Sequence, residues 1–182
     1  MELGSFYGLG DVFTRQECER IMANLDSQVQ NSTIVNGSSD VRKSQSITIP
    51  RRDDTEWIYE RLLKVAHETN QAKFRFNIDY NCILAIQFTK YEEGGYYDWH
   101  VDTGPTQDTC CRKLSITIQL SDPSSYKGGK LEFGMNERNI MSASSDQGSA
   151  TIFCSLARHR ITEVTHGKRY SLVAWVTGFP FN

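Results

Sequence analysis

The chain has 182 residues, with 20 basic and 22 acidic side chains and a formal charge of -2. That length fits one domain able to bury a core of its own, and the near-neutral, scattered charge gives no footprint for gripping a phosphate backbone, so nucleic acid is not an expected partner. No apolar run is long enough to span a bilayer and the stretch "MELGSFYGLGDVFTRQ" has no apolar h-region, so the expectation is a soluble, cytoplasmic protein with no membrane partner.

In chain order, the first expected element is a helix opened by Thr14 and Glu17 in a capping-box spacing, with apolar positions Cys18, Ile21, Met22 and Leu25 behind it. A second helix is expected over "DTEWIYERLLKVAHETN", where Trp57, Ile58, Leu62, Leu63, Val65 and Ala66 form an apolar stripe. The polar, turn-rich segment between them, "QNSTIVNGSSDVRKSQSITIPRRDD", reads as mobile surface. After Asn70 come eight short strand-like runs: "KFRFNID", "CILAIQFTKY", "YYDWHVD", "KLSITIQL", "KLEFG", "ATIFCS", "RHRITEV" and "RYSLVAWVTG". These predict an α+β, mainly β protein with an antiparallel sandwich or jelly-roll core and the N-terminal helices packed on one outer face. Residues 1–70 would supply helical support and a mobile segment beside the substrate, residues 71–182 the catalytic core. The five cysteines include the adjacent pair Cys110 and Cys111, suit neither a zinc ribbon nor a structural bridge, and are read as free thiols.

Chemistry concentrates in "YYDWHVDTG". Residues two apart on a strand share a face, so His100 and Asp102 would both point into the barrel. Of the remaining histidines, His67 falls on the second helix and His166 in a turn before Gly167, while His159 opens a late strand that can reach the same barrel mouth. Two imidazoles and one carboxylate suit a ferrous ion with open coordination positions. Arg169, ten residues beyond His159, heads a long apolar strand, where an inward guanidinium could pair bidentately with a carboxylate.

"YEEGGYYDWHVD" resembles the Tyr-x-x-Gly-x-x-Tyr-x-x-His-x-Asp signature of the prolyl 4-hydroxylase-like branch of the iron(II)- and 2-oxoglutarate-dependent oxygenases, with Tyr91, Gly94, Tyr97, His100 and Asp102 at the matching positions. "RKLSITIQLSDPSSYKGGKLEF" and "GSATIFCSLARHRITEVTHGKRYSLVAWVTG" resemble the family's later strands, in order, over about residues 70–178. The resemblance implies a double-stranded β-helix and an enzyme that hydroxylates a prolyl residue in a protein or peptide while converting 2-oxoglutarate and dioxygen to succinate and carbon dioxide. It implies that His100, Asp102 and His159 bind iron(II), that Arg169, Tyr91 and Ser115 hold 2-oxoglutarate, and that Tyr97 and Trp175 lie near the substrate. Ascorbate is a possible auxiliary, and a monomer or weak homodimer is expected. Glu163 stands where relatives commonly have proline, and Arg169 where collagen-type enzymes often have lysine, which turns the reading toward the smaller bacterial, phage and oxygen-sensing relatives. The alternatives are hydroxylation of a free amino acid or other small molecule; a nucleic-acid demethylase, whose motif expects asparagine where this chain has Thr89; and a non-enzymatic metal-binding or interaction module of the same fold, which would have no use for a co-substrate anchor such as Arg169 with Tyr91. The segments around residues 28–54 and 103–112 would flank the pocket mouth.

Overall fold

A computed structural model describes residues 6–32, 41–107, 109–134 and 139–179. After a short strand, β1 (Phe6–Leu9), helix α1 (Arg15–Leu25) starts where its capping signal lies: Thr14 Oγ1 accepts from the Glu17 amide at 3.2 Å and Glu17 Oε2 accepts from the Thr14 amide at 2.8 Å. Helix α2 (Glu56–Thr69) buries Ile58, Tyr59, Leu62, Val65 and Ala66, which recur at helical spacing. Arg61 reaches Glu17 at 2.7 Å and ties the two helices together, while the buried Tyr59 hydroxyl donates to the Ile49 carbonyl at 2.7 Å and ties α2 to the sheet beneath.

That sheet has seven antiparallel strands in the order β1, β11 (Ala150–Cys154), β7 (Arg112–Gln119), β14 (Arg169–Gly178), β5 (Ile78–Tyr91), β4 (Gln45–Ile49) and β2 (Gln30–Asn31). A smaller antiparallel sheet runs β10 (Ile140–Ser142), β9 (Leu131–Gly134), β12 (His159–Ile161), β6 (Tyr96–His100) and β3 (Arg42–Lys43). A further pair joins β13 (Val164–Gly167) to β8 (Tyr126–Gly128). This is the jelly-roll architecture read from the strand pattern, with the helices on the outer face of the larger sheet.

Alternation within the central strands assigns the two faces. Leu172, Ala174 and Val176 of β14, Ile86 and Phe88 of β5, and Leu114, Ile116 and Ile118 of β7 join the helix stripes in one large apolar core. The intervening residues Arg169, Ser171, Val173 and Trp175, with Gln87, Thr89, Tyr91 and Thr117, line a cavity on the opposite face. A period of two, carried through three neighbouring strands, thus gives one sheet an apolar back and a largely polar front. A second, smaller core of Tyr91, Leu131, Phe133, Phe153, Ala157, Ile161 and Val164 closes the space between the sheets.

Two expectations are corrected. "KFRFNID" does not form a strand of its own: the chain leaving α2 continues as a π-helical turn over Asn70–Phe74, and Arg75 takes a left-handed φ of 57°. The Asn70 side chain then bonds both the amide and the carbonyl of Phe76, each at 2.9 Å, so local side-chain bonds take the place of a ladder until β5 begins at Ile78. The segment read as mobile surface contains β4, which pairs with β5 from Gln45↔Lys90 to Ile49↔Ile86 and buries Ile49. Its alternating Ile47 and Ile49 are a strand signal hidden by polar neighbours. The remainder of that expectation, over residues 33–40, lies outside the described residues.

Leu62 is fully buried between α2 and the sheet. Leu62→Ala should cost about 2–5 kcal/mol through lost burial and a residual cavity, whereas truncating exposed Leu156 should cost under about 1 kcal/mol; urea unfolding midpoints of the two variants check this.

Candidate metal centre and its cavity

Strands β6 and β12 pair directly, and their register sets His100 opposite His159, with ring centres 4.1 Å apart. Past the end of β6 the chain is anchored by the Ser155 carbonyl, which accepts from the amides of Asp102 at 2.9 Å and Thr103 at 3.2 Å. Arg112 adds a bond from Nη1 to the Asp102 carbonyl at 3.1 Å. The Asp102 carboxylate is thereby held against both imidazoles, 3.6 Å from each Nε2, and one ligand atom from each of the three residues lies within 4.8 Å of the others.

The surrounding hydrogen bonds prepare these atoms. His100 Nδ1 lies 2.7 Å from the Asp98 carbonyl and His159 Nδ1 lies 2.9 Å from the Ala157 carbonyl. A carbonyl only accepts, so each Nδ1 carries the proton and each Nε2 keeps its lone pair toward the cluster. Burial pushes the His159 pKa down to about 4, leaving that ring neutral at physiological pH. Burial alone would raise the Asp102 pKa, whereas attraction to the His159 and His100 rings in their charged form and the Ser115 hydroxyl lower it, so the carboxyl lies well below its ordinary range; with the rings neutral, the Ser115 bond is what still favours the anion. Two imidazole nitrogens and one carboxylate oxygen, with a face open to a cavity, form a donor set suited to ferrous iron. Tyr97 stacks on His100 with ring centres 3.5 Å apart, and Phe153 packs against His159 at 4.6 Å.

The cavity in front of the cluster has a volume of about 410 Å³. At its back, Arg169 is only 2% exposed, pairs across the sheet with Tyr91, lies 5.7 Å from that ring, and donates to Ser171 Oγ at 3.3 Å. Among the described residues no carboxylate lies within ion-pair distance of it. A buried guanidinium without an anion is costly, and an incoming carboxylate relieves that cost.

The structure brings His100, Asp102, His159, Arg169, Tyr91, Tyr97 and Trp175 to this one cavity. Ser115 differs from the expectation that it meets the co-substrate with Arg169: its fully buried hydroxyl donates to Asp102 Oδ2 at 2.6 Å and contacts Ser155 Oγ at 3.0 Å, so it stands behind the carboxylate of the cluster. Trp175 lies across the ladder from Ser115, under the Arg112 guanidinium at 3.9 Å, and its buried Nε1 has no hydrogen-bond partner among the described residues. His67 is held by the Tyr80 carbonyl at 2.9 Å and His166 is exposed beside Glu93, both apart from the cluster. Residues of both expected flanking segments, Arg42 from one and Thr103 to Thr106 from the other, line the cavity. Sequence reading passed over Arg42, Arg112 and Ser155, because a lone arginine or serine in a polar segment carries no periodic signal.

Fold and site together define a jelly-roll protein with a two-histidine, one-carboxylate cluster facing a cavity that ends in a buried arginine. The chain belongs to the 2OG-Fe(II) oxygenase superfamily, whose sequence model matches residues 86–177, just over half of its length. It is 33% identical over 102 residues to a PKHD-type hydroxylase of Teredinibacter turnerae, covering 52% of this chain and 43% of that one. A PKHD-type hydroxylase of a Psychrobacter species is 28% identical over 163 residues, covering 86% of this chain and 61% of the relative. The chain thus spans less than two thirds of the length of these relatives. Among solved structures it is similar in fold to a Pseudomonas putida prolyl-4-hydroxylase, with a TM-score of 0.75, 16% identity and coverage of 98% of this chain and 94% of that one. It is also similar to a Trichoplax adhaerens prolyl hydroxylase in complex with a hypoxia inducible factor oxygen degradation domain peptide fragment, with a TM-score of 0.79, 15% identity and coverage of 97% and 84%. Among the described residues no helix is long and apolar enough to cross a membrane.

The residues present fit both groups in the family's name: the imidazole and carboxylate cluster fits iron(II), and buried Arg169 fits one end of 2-oxoglutarate. Ser115→Ala removes the hydroxyl that orients Asp102 and should weaken iron(II) affinity about 10- to 100-fold with little change in fold, measured by anaerobic metal titration alongside circular dichroism.

Proposed function

We propose that the protein is an iron(II)- and 2-oxoglutarate-dependent dioxygenase that hydroxylates a prolyl residue in a protein or peptide. The observation that carries the reading is the convergence, in one cavity, of the His100, Asp102 and His159 cluster with a buried Arg169 that has no acidic partner among the described residues. In this reading the three cluster residues hold iron(II), and Arg169, beside Tyr91, holds the distal carboxylate of 2-oxoglutarate. Bound iron(II) supplies the means of activating dioxygen, so that one oxygen atom enters the substrate C–H bond as hydroxyl, the other enters succinate, and carbon dioxide leaves.

The chain's own residues position and shield. Asp102 contributes the negative charge of the metal site, and Ser115 and the Ser155 carbonyl keep it in place. Tyr97 fixes the His100 ring by stacking, and Trp175 with Tyr97 supplies aromatic wall against which a substrate ring can pack. The prolyl choice is supported by the names of the structural relatives and by this aromatic lining. Hydroxylation of a free amino acid is the second reading, because about 410 Å³ also accommodates a small acid beside 2-oxoglutarate.

The test is mass spectrometry of proline-containing peptides incubated with the protein, expecting a gain of one oxygen that requires both iron(II) and 2-oxoglutarate and is matched by succinate. Succinate absent under all conditions would overturn the reading. Arg169→Gln should raise the 2-oxoglutarate concentration needed for half-maximal turnover by about 100-fold or more while iron(II) affinity stays near that of the unaltered protein, since a charge-assisted bidentate pair is lost.

A further inference from the structure

The cavity holds more hydrogen-bond donors than one dicarboxylate occupies. Arg42 enters from β3, where its backbone pairs with Tyr97, and its guanidinium carbon lies 4.8 Å from the centre of the Tyr97 ring that stacks on His100. Its bonds are to neutral groups: Nε donates to Ser44 Oγ at 2.7 Å and Nη2 to Gln87 Oε1 at 3.2 Å, while Nη1 makes no hydrogen bond among the described residues. The Gln87 oxygen also accepts from Thr89 Oγ1 at 3.3 Å, which turns the amide nitrogen of Gln87 into another available donor. Trp175 Nε1 adds a buried donor without a partner among the described residues.

Against these stands one acidic side chain in the described cavity wall, Asp102, and it belongs to the metal cluster. In the proposed function 2-oxoglutarate answers Arg169 and the metal. Arg42 then remains a half-buried cation, one aromatic ring away from a ligand of a dication, with no anion facing it among the described residues. Such an arrangement is unfavourable until an anion arrives, and it selects for one that does.

We propose that the prime substrate carries a carboxylate close to the carbon that is hydroxylated, and that Arg42 is the specificity-determining residue that receives it. The inference rests on the oxygenase reading above and narrows its substrate class. Ser44 and Gln87 hold the guanidinium over the Tyr97 ring, and Nη1, which makes no hydrogen bond among the described residues, is left to meet an acceptor. The carboxylate can come from a Glu or Asp side chain flanking the target proline, or from a free amino acid.

The experiment is calorimetric titration, without oxygen, of the full chain loaded with iron(II) and 2-oxoglutarate. One probe pair is a proline-centred pentapeptide with Glu or Gln beside the proline on either side; the other is L-proline and L-prolinamide. The acid member of at least one pair should bind about 10- to 100-fold tighter than its amide, and the responding pair names the source. In Arg42→Gln that preference should collapse to within about threefold, and Arg42→Lys should recover part of it, with 2-oxoglutarate affinity constant across all three proteins as the check on folding. Equal binding of acid and amide, no binding by either pair, or an acid preference that persists in Arg42→Gln would overturn the inference. Failure of the oxygenase reading has a separate signature, the absence of metal-dependent 2-oxoglutarate binding by the unaltered protein, and takes this inference with it.

Discussion

The arrangement depends on one ladder contact: β12 lies antiparallel to β6 with His159 opposite His100. Antiparallel pairing fixes which side chains meet face to face, so two residues 59 positions apart become immediate neighbours without any bond between their side chains. A slip of one residue in that register would turn one imidazole to the far side of the sheet and leave a single histidine beside Asp102. The third member cannot come from the ladder, since β6 has ended, and the Ser155 carbonyl does the work instead by binding the Asp102 and Thr103 amides. The cluster is therefore built from one strand pairing and one backbone anchor, each supplied by the larger scaffold.

The scaffold is stabilised on one face and functional on the other. The central strands of the larger sheet send Leu, Ile, Phe and Val toward α1 and α2, where their burial supplies most of the apolar core. The same strands send Arg169, Ser171, Tyr91, Gln87 and Thr117 toward the cavity, where polar groups are affordable because the opposite face already anchors the sheet. Placing the co-substrate anchor proposed here on a strand rather than a loop gives it the rigidity of a sheet flanked on both sides, by β5 and β7.

Electrostatically, the cavity awaits anions. His159 is kept neutral by burial, the Ser115 hydroxyl favours the Asp102 anion, and the other charged side chains of the described cavity wall are arginines. In the proposed function, a ferrous ion held by two imidazoles and one carboxylate would keep net positive charge, and Arg169 and Arg42 would add to it, which is the basis for proposing acidic small molecules and acidic substrate groups as ligands.

Much of this was legible in the residues. The capping box at Thr14 and Glu17, the stripe of α2 and the parity linking Arg169 to Trp175 are local patterns, set by bond geometry and helix or strand period, and they survive into the structure because packing had no reason to override them. His100 and Asp102 do meet, but Asp102 lies past the end of β6 and is placed by its bond to Ser155, not by strand period. What the sequence could not decide is everything that depends on which strands become neighbours. Ser115 reads as a co-substrate contact until β7 is seen to run beside β11, whose end leads to Ser155, and its hydroxyl is found behind Asp102. Arg42 reads as one basic residue in a polar stretch until β3 pairs with β6 and carries it over Tyr97. Period and motif are properties of neighbours along the chain, whereas strand order and register arise from long-range pairing and the burial of whole faces, and only the tertiary structure carries those.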